Sequence, residues 1–124
     1  MSSFVAQHSV GQEDIRSAAT RGDWPLVERL ARSSLKKSPR DRTSALLLTM
    51  SQFRQGKSEE ALSSARRTLE IDSSLMQAWL IAAECESQLQ HGSAAITILI
   101  NANRRFPDSI QPTWALGMAY AKNE

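Results

Sequence analysis

Chemistry in this chain of 124 residues would have to start from a few side chains: His8, His91, Cys85 and the neighbouring carboxylates Glu84 and Glu86. A general base or nucleophile needs a partner within hydrogen-bond reach, and a metal needs several ligands converging on one point. Neither histidine has a Ser, Cys or carboxylate at a spacing that reads as such a pair, so both read as surface residues. Glu84 and Glu86 lie two apart on a helix and point to different faces, which argues against a carboxylate pair. Cys85 falls on an apolar helix without any Cys/His metal spacing around it, and reads as a small buried apolar residue. The glycines stand singly rather than in a phosphate-cradling loop. These residues call for no catalytic role, no metal and no cofactor.

What is organised in the sequence is its apolar and turn residues. Thirty-four residues separate Gly22 from Gly56, Ala61 from Ala95, Leu35 from Leu69, Leu48 from Ala82 and Ala82 from Leu116, and Pro39 and Pro107 lie two such periods apart. That period marks a helix-turn-helix solenoid, in which each unit buries its apolar stripe by stacking on the next. The spacing predicts helices over about 12–20, 24–37, 43–54 and 76–89, one that follows Ser58 and stops before Asp72, one that follows Ser93 and is closed by Pro107, and a last one that follows Asp108 or Ser109. Asp23 and Asp41 read as N-caps, as do Ser58, Ser93 and Asp108 or Ser109, while Pro25 and Pro112 suit first turns. Gly22 and Gly56 read as turns, and Gly92 as a break two positions late for the period, as if its helix ran an extra half turn.

At this point the chain resembles a tetratricopeptide repeat protein from about Val10 to its end. In the third unit, Trp79, Ala95 and Pro107 match the family's large residue of the first helix, small residue of the second and helix-ending proline. Leu116, Gly117 and Tyr120 reproduce its leucine, glycine and tyrosine run, where the second unit has Leu48, Thr49 and Gln52. The resemblance implies an all-α right-handed solenoid of antiparallel helical hairpins, about three and a half repeats and seven helices. Its units would be about 8–41, 42–75, 76–109 and a partial 110–124, a repeat domain over 10–124 behind a flexible arm at 1–9.

Composition narrows the partners. An apolar content of 41% fits a folded single domain, and fifteen basic against thirteen acidic residues, net +2, are too balanced for a polyanion binder. Arg29, Arg32 and Lys36 share a helical ridge near Lys37, Arg40 and Arg42, but without interleaved aromatics it reads as a solvated face rather than a nucleic-acid surface. One cysteine makes no internal disulfide, the N-terminus does not resemble a secretory signal, and no run reaches the roughly 20 apolar residues of a membrane span. The expectation is a cytoplasmic protein. The last helix, apolar nearly all round, suggests that the chain is a fragment of a longer one, or that Trp114, Leu116 and Tyr120 mediate homo-oligomerisation.

In this family the first helix of each unit lines the concave surface. Carried onto this sequence, that gives Gln12, Arg16 and Ala19, then Leu46, Met50, Phe53 and Arg54, then Leu80, Glu84 and Ser87, and lastly Trp114, Met118 and Lys122. Leu46, Phe53 and Leu80 are equally readable as core of a tightly wound superhelix. As a groove the set is apolar with charged edges and suits a peptide or amphipathic helix of a partner, with Phe53 and Trp114 as anchors. Some relatives grip chaperone tails by their C-terminal carboxylate with lysine and asparagine. Here those places hold Gln12, Arg16, Leu47, Gln77 and Ile81, so that clamp is missing. The reading is a protein-interaction scaffold, against the alternatives of an accessory region of a larger enzyme, such as a sulfotransferase or glycosyltransferase, and a secretion-type chaperone.

Overall fold

The computed structural model describes residues 15–123, so the expected arm at 1–9, with His8 and also Gln12, lies outside the described residues. Among those residues there are seven helices and no strand: α1 (15–21), α2 (Trp24–Lys37), α3 (Arg42–Arg54), α4 (Ser58–Ile71), α5 (Met76–Gln88), α6 (Gly92–Arg105) and α7 (Ile110–Lys122). From α2 to α7 each helix packs on the next through a short turn, which makes neighbours antiparallel. The odd-numbered helices also touch across units, α3 with α5 and α5 with α7, whereas the backbones of the described even-numbered ones do not come as close. A stack whose first helices touch and whose second helices splay is curved, with α3, α5 and α7 on the inside.

Local chemistry explains the starts and stops. Asp23 accepts from the Leu26 amide (3.4 Å) at the head of α2, where Pro25 sits in the first turn, and Lys36 and Lys37 face the negative end of the helix dipole. Asp41 does the same for α3 through the Thr43 amide (3.2 Å), and Ser109 for α7 through Gln111 (3.4 Å). Ser58 and Ser93 are not caps. The cap positions fall one and two residues earlier, on Lys57 and His91, which give no side-chain capping bond, and the Ser58 hydroxyl donates to the Gln88 amide oxygen instead.

Helices α1, α3 and α5 end in one repeated turn. Gly22, Gly56 and Gln90 all have positive φ, at 76°, 78° and 68°. The following amide in each case reaches back five residues in the same ring: Asp23 to the Ala18 carbonyl (2.8 Å), Lys57 to Gln52 (3.0 Å) and His91 to Glu86 (2.8 Å). This is the Schellman closure, in which a left-handed residue lets the chain satisfy the last carbonyls of the helix. Gln90 lies one period beyond Gly56, so the expectation of a longer α5 ended by Gly92 is corrected. The period is kept; the glycine is what moved, and Gly92 begins α6.

Buried small residues set the close spacing of the helices. Ala61, Leu62 and Ala65 of α4 and Ala82 and Cys85 of α5 form the central cluster, with Phe53, Ile81, Leu89 and Ile98 packed against it. One period on, Ala95 and Leu99 are buried in the same way on α6. Alanine here lets helix axes approach, and the larger side chains then close the gaps at the flanks.

Candidate functional site

The two buried carboxylates are the first place to look for chemistry, and both are already engaged. Glu28 Oε1 accepts from Lys57 Nζ and Gln55 Nε2, both at 2.9 Å, and its Oε2 from Arg32 Nη2 at 2.9 Å. Burial pushes the Glu28 carboxyl up, but the bonds from Lys57, Arg32 and Gln55 outweigh it and hold the group at about 2. It is therefore a fixed anion at neutral pH and useless as a base. Gln52 lies beside it; turned so that both ends of its amide are satisfied, its oxygen accepts from Arg32 Nη2 (3.1 Å) and its nitrogen donates to the Glu60 carbonyl (3.2 Å).

Glu86 occupies the place of Gln52 one repeat later, 5% exposed, with Arg66 standing where Arg32 stood. Its carboxylate takes Arg66 Nη2 at 3.3 Å and His91 Nδ1 at 2.9 Å. The expectation that His91 has no carboxylate partner is thus corrected: the turn after α5 folds residue 91 back over residue 86. Glu84, by contrast, is exposed, so the two glutamates do face apart. Cys85 is buried, and burial, with the Glu84 and Glu86 charges beside it, pushes its thiol up to about 11, which leaves no thiolate for nucleophilic attack. No group of His, Cys, Asp or Glu among the described residues is placed to hold a metal.

The basic ridge is divided in the same way. Arg32 pairs with Glu28 (2.9 Å) and Glu60 (3.7 Å), and Arg42 with Asp72 (2.7 Å). Hydrogen bonds from the Ser74 hydroxyl and amide, together with Arg42, hold the Asp72 carboxyl down at about 2. Sequence reasoning missed the polar seam of Glu28, Gln52 and Glu86. The signal was present in the one-period spacings of Arg32 with Arg66 and Gln52 with Glu86.

The inner face is where the family-derived positions come together. Leu46, Leu80 and Trp114 are one period apart, as are Arg16, Met50, Glu84 and Met118, so they fall in two rows along the stack. Met50, Phe53, Arg54 and Leu80 border a dimple of about 180 Å³ between α3 and α5. Leu80, Glu84, Trp114 and Met118 border a larger cleft of about 630 Å³ between α5, α6 and α7. Leu80 belongs to both and joins them. Leu46 is half-buried and lines neither, and Arg16 is exposed on α1, also outside them. Phe53 is half-buried against the central cluster, whereas Trp114 is 70% and Met118 57% exposed. The Arg54 guanidinium lies 5.7 Å from the Trp24 ring centroid, within cation–π range.

Stacked helical hairpins with a continuous inner face define a helical-repeat solenoid. The model of the family described as anaphase-promoting complex, cyclosome, subunit 3 matches residues 25–102, and the chain belongs to this family of tetratricopeptide repeats. Among solved structures, it is similar to the TPR2B domain of yeast Sti1 in a complex with pHsp70, at 15% identity over 92% of this chain and 96% of that one, with a TM-score of 0.83. It is also similar to the Yersinia enterocolitica type III secretion chaperone SycD in complex with a peptide of the translocator YopD (17% identity, 95% of each chain, TM-score 0.82). An alternative dimer of SycD gives 15% identity, 94% of this chain, 93% of that chain and a TM-score of 0.84. At such identities the likeness is one of fold. No curated protein sequence matches the chain.

Proposed function

We propose that this chain is a non-catalytic scaffold that holds a peptide or helix of another protein against the inner face of α3, α5 and α7. The observation that carries the reading is the cluster of Leu80, Trp114 and Met118, apolar side chains left on a concave surface with two of the three more than half exposed. A protein that keeps Trp114 in water without packing it gains nothing in stability from that residue, so its use lies in association. Arg16, Leu46, Met50, Phe53, Arg54 and Glu84 complete the proposed surface. The similar folds of Sti1, with pHsp70, and of SycD, with a YopD peptide, support it, because both are seen with partners of that kind. No described helix is long and apolar enough to cross a membrane, and we place the protein in the cytoplasm on the notional reducing environment that one buried thiol suits.

A photoreactive residue at position 80 or 114 should trap the partner in cells, while one at position 67 or 101, on α4 and α6, should not. Titration of the purified partner against Trp114→Ala should then show a loss of about 2 kcal/mol. Trapping from the α4 and α6 positions alone, with Trp114→Ala binding normally, would sink the proposal. A second reading, self-association through α7, is favoured by one observation: Ile110 is 78% and Tyr120 49% exposed on that same helix. Sedimentation showing a monomer at high concentration removes it.

A further inference from the structure

A shift of one period carries the α3–α5 junction onto the α5–α7 junction, and the two are filled differently. At the first, Phe53 and Ile81 pack over the central cluster, leaving only the dimple of about 180 Å³ in front of them. At the second, the place of Phe53 is taken by Ser87 and that of Ile81 by Ala115. The side chains that would cover the next cluster are absent, and Ala95, Leu99 and Ala119 become the back wall of the cleft of about 630 Å³. The cleft therefore lies where the repeat one unit earlier places Phe53 and Ile81. At its mouth stand Glu84 and Lys122, neither of which makes an ion pair with another described residue.

We infer that this cleft is the anchor site for one Phe- or Leu-sized side chain on a linear segment of another polypeptide. That side chain takes the position Phe53 holds one repeat earlier, with a basic neighbour toward Glu84 and an acidic neighbour toward Lys122. The inference rests on the groove reading above and names its occupant. An apolar side chain entering the cleft regains the contacts that Ser87 and Ala115 forgo, which is the usual form of an interface anchor in a desolvated pocket. Charges of both signs at one mouth suit a peptide bearing both, whereas a hydrocarbon ligand would leave each of them unanswered. The segment can continue past the anchor, because Leu80 joins the cleft to the dimple between α3 and α5.

The test uses a phage library of random peptides about 12 residues long, selected on the whole protein, with the enriched peptides synthesised and titrated by fluorescence anisotropy. The expected consensus is one bulky apolar residue flanked by opposite charges. Ser87→Phe, which fills the cleft from within, should weaken these peptides at least about tenfold while leaving the helical signal intact and the thermal midpoint unchanged or raised. Ala115→Ile serves as the second filled variant if Ser87→Phe does not fold. Glu84→Lys and Lys122→Glu should each cost a few-fold, recovered by peptides with the matching charge reversed. Peptides that bind both filled variants undiminished, yet lose affinity on Met50→Ala, overturn the anchor and leave the groove standing. Failure to enrich any peptide overturns both. A wild-type dimer that Ser87→Phe dissociates makes the occupant a second copy and overturns the assignment to a foreign segment.

Discussion

The α2–α4 stack and the α5–α7 stack are cut from one repeat and are finished differently. In the first, a buried anion is surrounded by Lys57, Arg32 and Gln55, Gln52 is tied to its neighbours, and Thr49 meets Thr68 at 3.1 Å, so the helices are cross-linked by polar contacts as well as packed. Around α7 the place of Gln52 and Glu86 is taken by Tyr120, half exposed, and the place of Phe53 by Ser87 and Ala121 in successive units. One end of the solenoid uses its inner positions to hold itself together. The other leaves them to a second molecule. Function in a repeat protein is found where a unit departs from its neighbours, because the shared positions are already committed to stacking.

If the first stack is the stabilising one, Glu28 should be its most sensitive residue. Glu28→Ala leaves Lys57, Arg32 and Gln55 without their acceptor and should cost about 2–3 kcal/mol in urea denaturation, below the range for fully buried pairs because the two cations are partly exposed. Glu28→Gln makes the same point through pH. A carboxyl held at about 2, against an ordinary value of 4.5, stabilises the fold above pH 4.5, and that contribution is lost as pH falls from there through about 2. The gap in unfolding free energy between wild type and Glu28→Gln should therefore be full at pH 7 and shrink across that window. A gap that persists at pH 2 would assign the effect to packing instead.

The next largest effect separates the two aromatic positions. Phe53→Ala removes a ring packed on the central cluster and should destabilise by about 2 kcal/mol, less than a fully buried phenylalanine because the ring is only partly enclosed. Trp114→Ala should change stability by no more than about 0.5 kcal/mol, since the indole is largely in water. Equal losses at the two positions would erase the difference between the stacks. The pairing also sharpens the functional reading, because a binding defect in Trp114→Ala is then free of a folding defect.

How much of this was legible follows from the kind of signal. The helices and their order came from apolar spacing and the 34-residue period, which survive because stacking constrains every unit alike. Asp23, Asp41 and Ser109 were readable as caps since each precedes a helix directly. Ser58 and Ser93 were misplaced because a serine near a helix start fits the cap, N1 or N2 equally well until the preceding turn is known. The polar seam was hidden by a pattern that treats Glu28, Gln52 and Glu86 as surface, when burial depends on which cation the next helix brings. The cleft could not be seen from its lining residues alone. It follows from what Ser87 and Ala115 lack relative to Phe53 and Ile81, and that difference acquires meaning only once the repeats are known to be in register.

The smallest effect concerns the turn that recurs after α1, α3 and α5. Gly22 and Gly56 adopt positive φ without a Cβ to crowd the following carbonyl, but Gln90 adopts the same conformation at 68° and bears that crowding. Gln90 is exposed, so its side chain has no burial to lose, and the residue lies beyond the helix, where glycine brings no interior penalty. Gln90→Gly should therefore stabilise the protein by about 1 kcal/mol, net of the extra freedom glycine gives the unfolded chain, and Gly56→Ala should destabilise it by about the same amount. The two shifts, read as urea midpoints at unchanged slope, should be opposite in sign. If Gln90→Gly is neutral or harmful while Gly56→Ala behaves as expected, the turn after α5 draws stability from the Gln90 side chain, and the third closure differs in kind from the other two.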